Sequence, residues 1–177
     1  MPVEPRADRL LLVTNIVLTF LIWFTAAAAA VCAALIPIVL FKRAAVVRDL
    51  VENDIRAEAL PWMLMLLVLG IAMAVLGFFF FRHLRRIVAS VSDGDPFLPI
   101  NADRLYYMAW LSLGIQAVVM MATPLMFWFD ALPQKPNVHH GDTGFSVGSL
   151  VLALLLFVLA RVFRVGSEMR DELEGTV

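Results

Sequence analysis

One cysteine, Cys32, stands alone in an apolar run, which excludes a disulfide framework and any cysteine-based metal site. Its surroundings favour a small packing residue. Charge is scarce as well. Only 16% of the 177 residues are Asp, Glu, Lys or Arg, and 14 basic residues nearly cancel 15 acidic ones. A balance so close to neutral argues against a direct nucleic-acid partner. No P-loop, GxSxG or HExxH pattern occurs, so the machinery of phosphate cradling, serine hydrolysis and zinc proteolysis is missing. The apolar runs carry no ionisable side chain well inside them, where pumps and proton relays need one. The chain therefore reads as non-enzymatic, and no cofactor is expected.

What the sequence has in abundance is apolar length. Hydrophobic residues make up 62% of it, well above the roughly half typical of a soluble domain. The run 10–41 is 32 residues long, more than twice the ~15-residue upper limit of a signal-peptide core, and is expected to be a retained span. At about 1.5 Å per residue it reaches roughly 48 Å, beyond the ~30 Å hydrocarbon core. It must tilt, end near Pro37 or project from the membrane. Its alanine-rich middle, 25–34, offers a small-residue face for close helix packing, and a homo-oligomer is one use of such a face. Further spans are expected at 61–85, 105–129 and 145–165. Trp62, Tyr106, Tyr107, Trp110 and Trp128 stand where interfacial aromatic belts belong, and Pro124 is placed to kink the third span. The fold class is thus an all-α membrane protein, one domain over 1–177, with four transmembrane helices in an antiparallel bundle.

Between the first two spans, 42–60 holds four basic and four acidic residues, with Val47, Leu50, Val51 and Ile55 at helical spacing. It reads as an amphipathic helix on the membrane or capping the bundle, or equally as a solvated connector. The second outer loop is 130–144. With the N-terminus in the cytoplasm, nine arginines fall inside: Arg6, Arg9, Arg82, Arg85, Arg86, Arg104, Arg161, Arg164 and Arg170. Five basic residues fall outside: Lys42, Arg43, Arg48, Arg56 and Lys135. The bias places both termini in the cytoplasm and the protein in a bacterial inner membrane as a multi-pass protein.

The densest arginine cluster lies in 82–105, read as a cytoplasmic hairpin that extends the second and third helices. Leu84, Ile87, Val88 and Val91 continue a helical stripe past the lipid boundary, and Gly94 is a helix-stopping residue near Ser92. Asp95-Pro96 forces an extended backbone. Phe97, Leu98 and Ile100 put apolar groups in a wet segment, so they must pack on the helix or on another protein. Asn101 is expected to cap the third helix, with Asp103 in its first turn. The acidic tail within 166–177, which includes Glu172 and Glu174, is expected to fold back on Arg82, Arg85 and Arg86. Arginines at a span end also serve topology and anionic headgroups, at about 1 kcal/mol each.

Gly94-x-Pro96-Phe97, Asn101 and Arg104-Leu105 form one motif, and Arg164-x-Gly166, Met169, Glu172 and Glu174-Gly175-Thr176-Val177 form another. On these the chain resembles a family of small bacterial four-helix membrane proteins of unknown function. Genes of that family commonly lie beside one for a small Cro-type helix-turn-helix regulator. The resemblance implies a membrane partner of a transcription regulator and carries over no catalytic residue.

The remaining candidates are sparse. His139, His140 and Asp142 could offer two imidazoles and a carboxylate to a metal, but a solvated polar loop is the preferred reading. Asn15 and Gln116 are candidate polar contacts inside the bundle, and Gln116 in particular suits an interhelical hydrogen bond. Two functions follow. One is an interaction or sensing module that engages a soluble regulator through Arg82, Arg85, Arg86, Gly94, Pro96, Phe97, Asn101, Arg104, Glu172 and Glu174. The other is a small-molecule or lipid-binding or transport module that uses the bundle core.

Overall fold

The computed structural model describes residues 5–52, 59–92, 94–130 and 145–174. These form five helices and, among the described residues, no strand. They are α1 (Pro5–Phe41), α2 (Arg43–Glu52), α3 (Ala59–Ser92), α4 (Pro99–Asp130) and α5 (Val147–Glu174). Four of them, α1, α3, α4 and α5, are long and apolar enough to cross a membrane, which makes this a multi-pass membrane protein. Even α5, with 28 residues, reaches about 42 Å at 1.5 Å per residue, so every one outruns a ~30 Å hydrocarbon core.

The first helix does not end near Pro37 but runs through it to Phe41. A turn follows at once: the Lys42 amide donates to the Ile38 carbonyl at 3.0 Å, and the Lys42 carbonyl accepts from Ala45 and Val46 at 2.9 and 3.0 Å. That turn starts α2, which buries no residue and leaves Val51 58% exposed. It links α1 to α3 without closing over the ends of the spans.

The long helices pack in chain order: α1 on α3, α3 on α4, α4 on α5. Each neighbouring pair is antiparallel, because partner numbers run in opposite directions. Thr19 lies beside Arg85, Thr25 beside Gly77, and Cys32 beside Gly70. Across α3 and α4, Ser90 meets Asn101 and Leu76 meets Gly114. Across α4 and α5, Asp103 meets Arg164, Tyr106 meets Phe157, and Gln116 meets Ser149. Among the described residues α1 and α5 make no close approach, so the expected antiparallel arrangement is an open row rather than a closed bundle. Between lipid-facing helices there is no hydrophobic gain to force closure, since acyl chains are as apolar as leucine.

What core there is lies toward one end of the row. Ile87 from α3, Leu105, Met108 and Ala109 from α4, and Leu156 and Ala160 from α5 form one buried cluster, with Phe80, Leu84, Phe157 and Phe163 packed against it. Beyond it the N-terminal part of α1, the α3–α4 connection and the C-terminal part of α5 come to the same end.

The α3–α4 connection begins as the sequence suggests. α3 stops at Ser92, and Gly94 takes a φ of 83°. Its amide donates to the Val91 carbonyl at 3.1 Å, and the Asp95 amide reaches back to Ser90 at 3.0 Å, which satisfies the orphan carbonyls of the last turn. Nothing lies within 4 Å of a Cβ placed at Gly94, so the demand on this residue is purely conformational. Gly94→Ala is expected to lower stability by about 1 kcal/mol, read as a reduced thermal midpoint of the purified protein. An unchanged midpoint would contradict the left-handed stop.

Candidate functional site

The end of the row that holds the buried cluster also collects the arginines. Arg82, Arg85 and Arg86 come from the end of α3, Arg104 from the start of α4, Arg161, Arg164 and Arg170 from the end of α5, and Arg9 from the start of α1. At the opposite end the described basic residues are Lys42, Arg43 and Arg48.

Asn101 fixes this end, though not as the helix cap the sequence suggests. α4 starts two residues earlier, at Pro99, whose locked φ and missing amide suit the first helical position. Asn101 is consequently inside the helix and fully buried. Its Nδ2 donates to Ser90 Oγ at 2.7 Å and to the Pro96 carbonyl at 2.9 Å, and its Oδ1 accepts from Arg104 at 2.9 Å. Arg104 also donates to the Arg86 carbonyl at 3.2 Å, and Ser90 Oγ passes its own proton to the Ile87 carbonyl at 2.7 Å. One amide side chain therefore ties the last turn of α3, the connection and the first turns of α4. Asp103 likewise falls outside the first turn of α4 and does not face its N-terminal dipole; it turns sideways to α5.

α5 supplies the second half of the site. The residues after 165 do not fold back as a separate tail but extend the helix to Glu174. Phe97 lies on it, with its ring 5.4 Å from that of Phe163, and a Cβ added at Gly166 would stand 3.1 Å from the Phe97 ring. The glycine is what lets the ring come so close. Two ion pairs flank this contact, Arg164 with Asp103 at 2.7 Å and Arg170 with Asp95. Their polarity is the reverse of the expected one: the α5 partners are arginines, and the acids sit on the connection and α4. Arg85 instead donates to Thr19 of α1 at 3.4 Å. Glu172 lies on the exposed last turns of α5, Glu174 is its final residue, and 175–177 lie outside the described residues.

Apolar groups remain in the open around this seat. Ile100 is 51% exposed, Met169 56% and Phe97 still 43%. His83, absent from the sequence expectations, stacks on Tyr107 with ring centroids 6.1 Å apart. Its Nδ1 is buried without a hydrogen-bond partner among the described residues. A histidine directly after an arginine at a span end was the only signal for it.

The polar candidates of the bundle interior separate. Gln116 is buried and accepts from Ser149 Oγ at 2.5 Å, an α4–α5 hydrogen bond. Asn15 is exposed on α1, which does not touch α4, so the two line no common site. His139, His140 and Asp142 lie outside the described residues. Among the described residues no group of three or more metal-ligating side chains comes together.

A family model described as a protein of unknown function, DUF2975, matches residues 46–177. The chain belongs to this family. The match takes in α3, α4, α5 and their connections and leaves α1 outside. No curated protein and no solved structure matches the chain.

Magnitudes separate the two kinds of tie in the site. The Arg164–Asp103 side chains are 51% and 58% exposed, and such pairs contribute about 0.2–1 kcal/mol. Removing the Asn101 amide leaves the Pro96 carbonyl and Arg104 each short of a partner, at about 1–3 kcal/mol for the site. Asn101→Ala is therefore expected to lower the thermal midpoint clearly more than Asp103→Asn in the same detergent. Equal losses, or the reverse order, would show that the ion pairs hold this end.

Proposed function

We propose that the protein is a non-catalytic membrane module whose arginine-bearing end faces the bacterial cytoplasm and docks a soluble regulator. The single observation that carries this reading is the contrast between rigidity and exposure there. The connection is pinned by Asn101 and seated on α5 through Phe97, yet Ile100 and Met169 stay largely open beside the arginines. An apolar patch rimmed by charge is what a protein–protein contact needs. Such a surface favours a partner with an apolar patch and an acidic rim. The small helix-turn-helix regulator implied by the family resemblance is the first partner to test, with Phe97, Gly94 and Pro96 shaping the surface and Arg82, Arg86 and Arg104 surrounding it. Cytoplasmic orientation draws on the excess of arginine at this end. Sensing of a signal, if coupled to docking, would act through the same spans.

A carrier function in the bundle core has less behind it. The row of spans is open, and its most buried amide, Gln116, already bonds Ser149.

The test uses the full chain in nanodiscs and the purified product of the helix-turn-helix gene beside this one. Binding is expected, and Ile100→Glu or Met169→Glu is expected to weaken it by about tenfold or more, as loss of an apolar anchor does. Neither residue is buried, so the variants keep their fold. No binding, or binding that both variants leave unchanged, would end this reading.

A further inference from the structure

Away from Ile100 and Met169, a cavity of about 480 Å³ opens between α4 and α5 at the arginine end. Its wall is graded along the helix axis. Arg161, Arg164 and Asp103 stand at the rim, Tyr106 and Tyr107 come next, and Phe157 lies deepest. Arg164 and Phe157 are seven positions apart, about 10 Å at 1.5 Å per residue. That is the depth over which a phospholipid passes from headgroup to acyl chain.

Charge at the rim is not balanced. Arg164 and Asp103 compensate each other at 2.7 Å, while Arg161 is exposed and has no ion pair among the described residues. The apolar wall is held in shape as well. Phe157 is gripped edge-on by Tyr106 at 5.5 Å and by Trp110 at 5.8 Å. We infer that this groove binds the phosphodiester of an anionic glycerophospholipid, with Arg161 on the phosphate and an acyl chain along Phe157.

Two weaker explanations meet parts of this geometry. A snorkelling arginine at a span end attracts any anionic headgroup, but so does every arginine here, and that attraction selects no position. Free phosphate would satisfy Arg161 and leave the aromatic wall unfilled. A lipid uses both halves of the groove, and a guanidinium suits a phosphate geometrically.

Native mass spectrometry of the full chain in detergent distinguishes these cases, with phosphatidylglycerol, phosphatidylcholine and inorganic phosphate as separate probes. Phosphatidylglycerol is expected to be retained about tenfold more than phosphatidylcholine. Arg161→Gln is expected to abolish that preference and Arg161→Lys to keep part of it. Arg82→Gln, at the same end but outside the groove, is expected to leave it intact. Equal retention of the two lipids would overturn the inference. So would equal losses in Arg161→Gln and Arg82→Gln, which would mean a diffuse field, or displacement of the lipid by millimolar phosphate, which would mean a free-anion site. Arg161→Gln must keep the wild-type thermal midpoint; if it unfolds, retention in Arg161→Lys against Arg82→Gln decides, and no excess loss in the lysine variant would also overturn the inference.

Discussion

A buried amide governs the one well-organised end of this molecule. In lipid the usual driving force for assembly is weak, because a leucine loses little by facing acyl chains instead of another helix. The described residues of α1 accordingly bury only Leu18, and the row of spans stays open at both edges. Polar ties then weigh more. Asn101 satisfies Ser90, the Pro96 carbonyl and Arg104 from a single buried side chain, and no apolar residue of similar size could replace it without leaving those groups short.

From that tie the rest of the site follows. The pinned connection presents Phe97 to α5 at the level of Gly166, where the absence of a side chain admits the ring. Seating Phe97 sets Asp95 and Asp103 opposite Arg170 and Arg164, so the ion pairs trim a geometry already determined. The buried cluster beneath, from Ile87 to Ala160, supplies the packing that makes the end rigid. What this builds is a stable platform carrying excess arginine and exposed Ile100 and Met169, with a lipid-sized groove on its α4–α5 flank.

Much of the fold was legible because apolar length and helix punctuation are local signals. Four spans, the stop at Ser92 and the left-handed Gly94 can each be read from short windows. Asn101 was misread for a physical reason: a cap preference and a buried-tie role use the same side chain, and Pro99 had already taken the helix start. The extension of α5 was obscured because its charged residues resemble a solvated tail, and only the position of the connection shows that Arg164 and Arg170 have acids to meet. Lateral order was not legible at all. Nothing in the run of apolar residues says that α1 meets α3 alone among the other spans, or that Tyr106 and Phe157 come together across α4 and α5.

The central claim is that Asn101 holds the α3–α4 connection on α5. Oxidative cross-linking tests it directly, using Phe97→Cys with Gly166→Cys in a Cys32→Ser background, in membranes. A Cβ at Gly166 would stand 3.1 Å from the Phe97 ring, so the paired cysteines are within reach of a disulfide after small adjustments. The account predicts a rapid link within one chain, independent of protein density, that slows several-fold when Asn101→Ala is added. No intramolecular link, or an unchanged rate in the Asn101→Ala background, would contradict it.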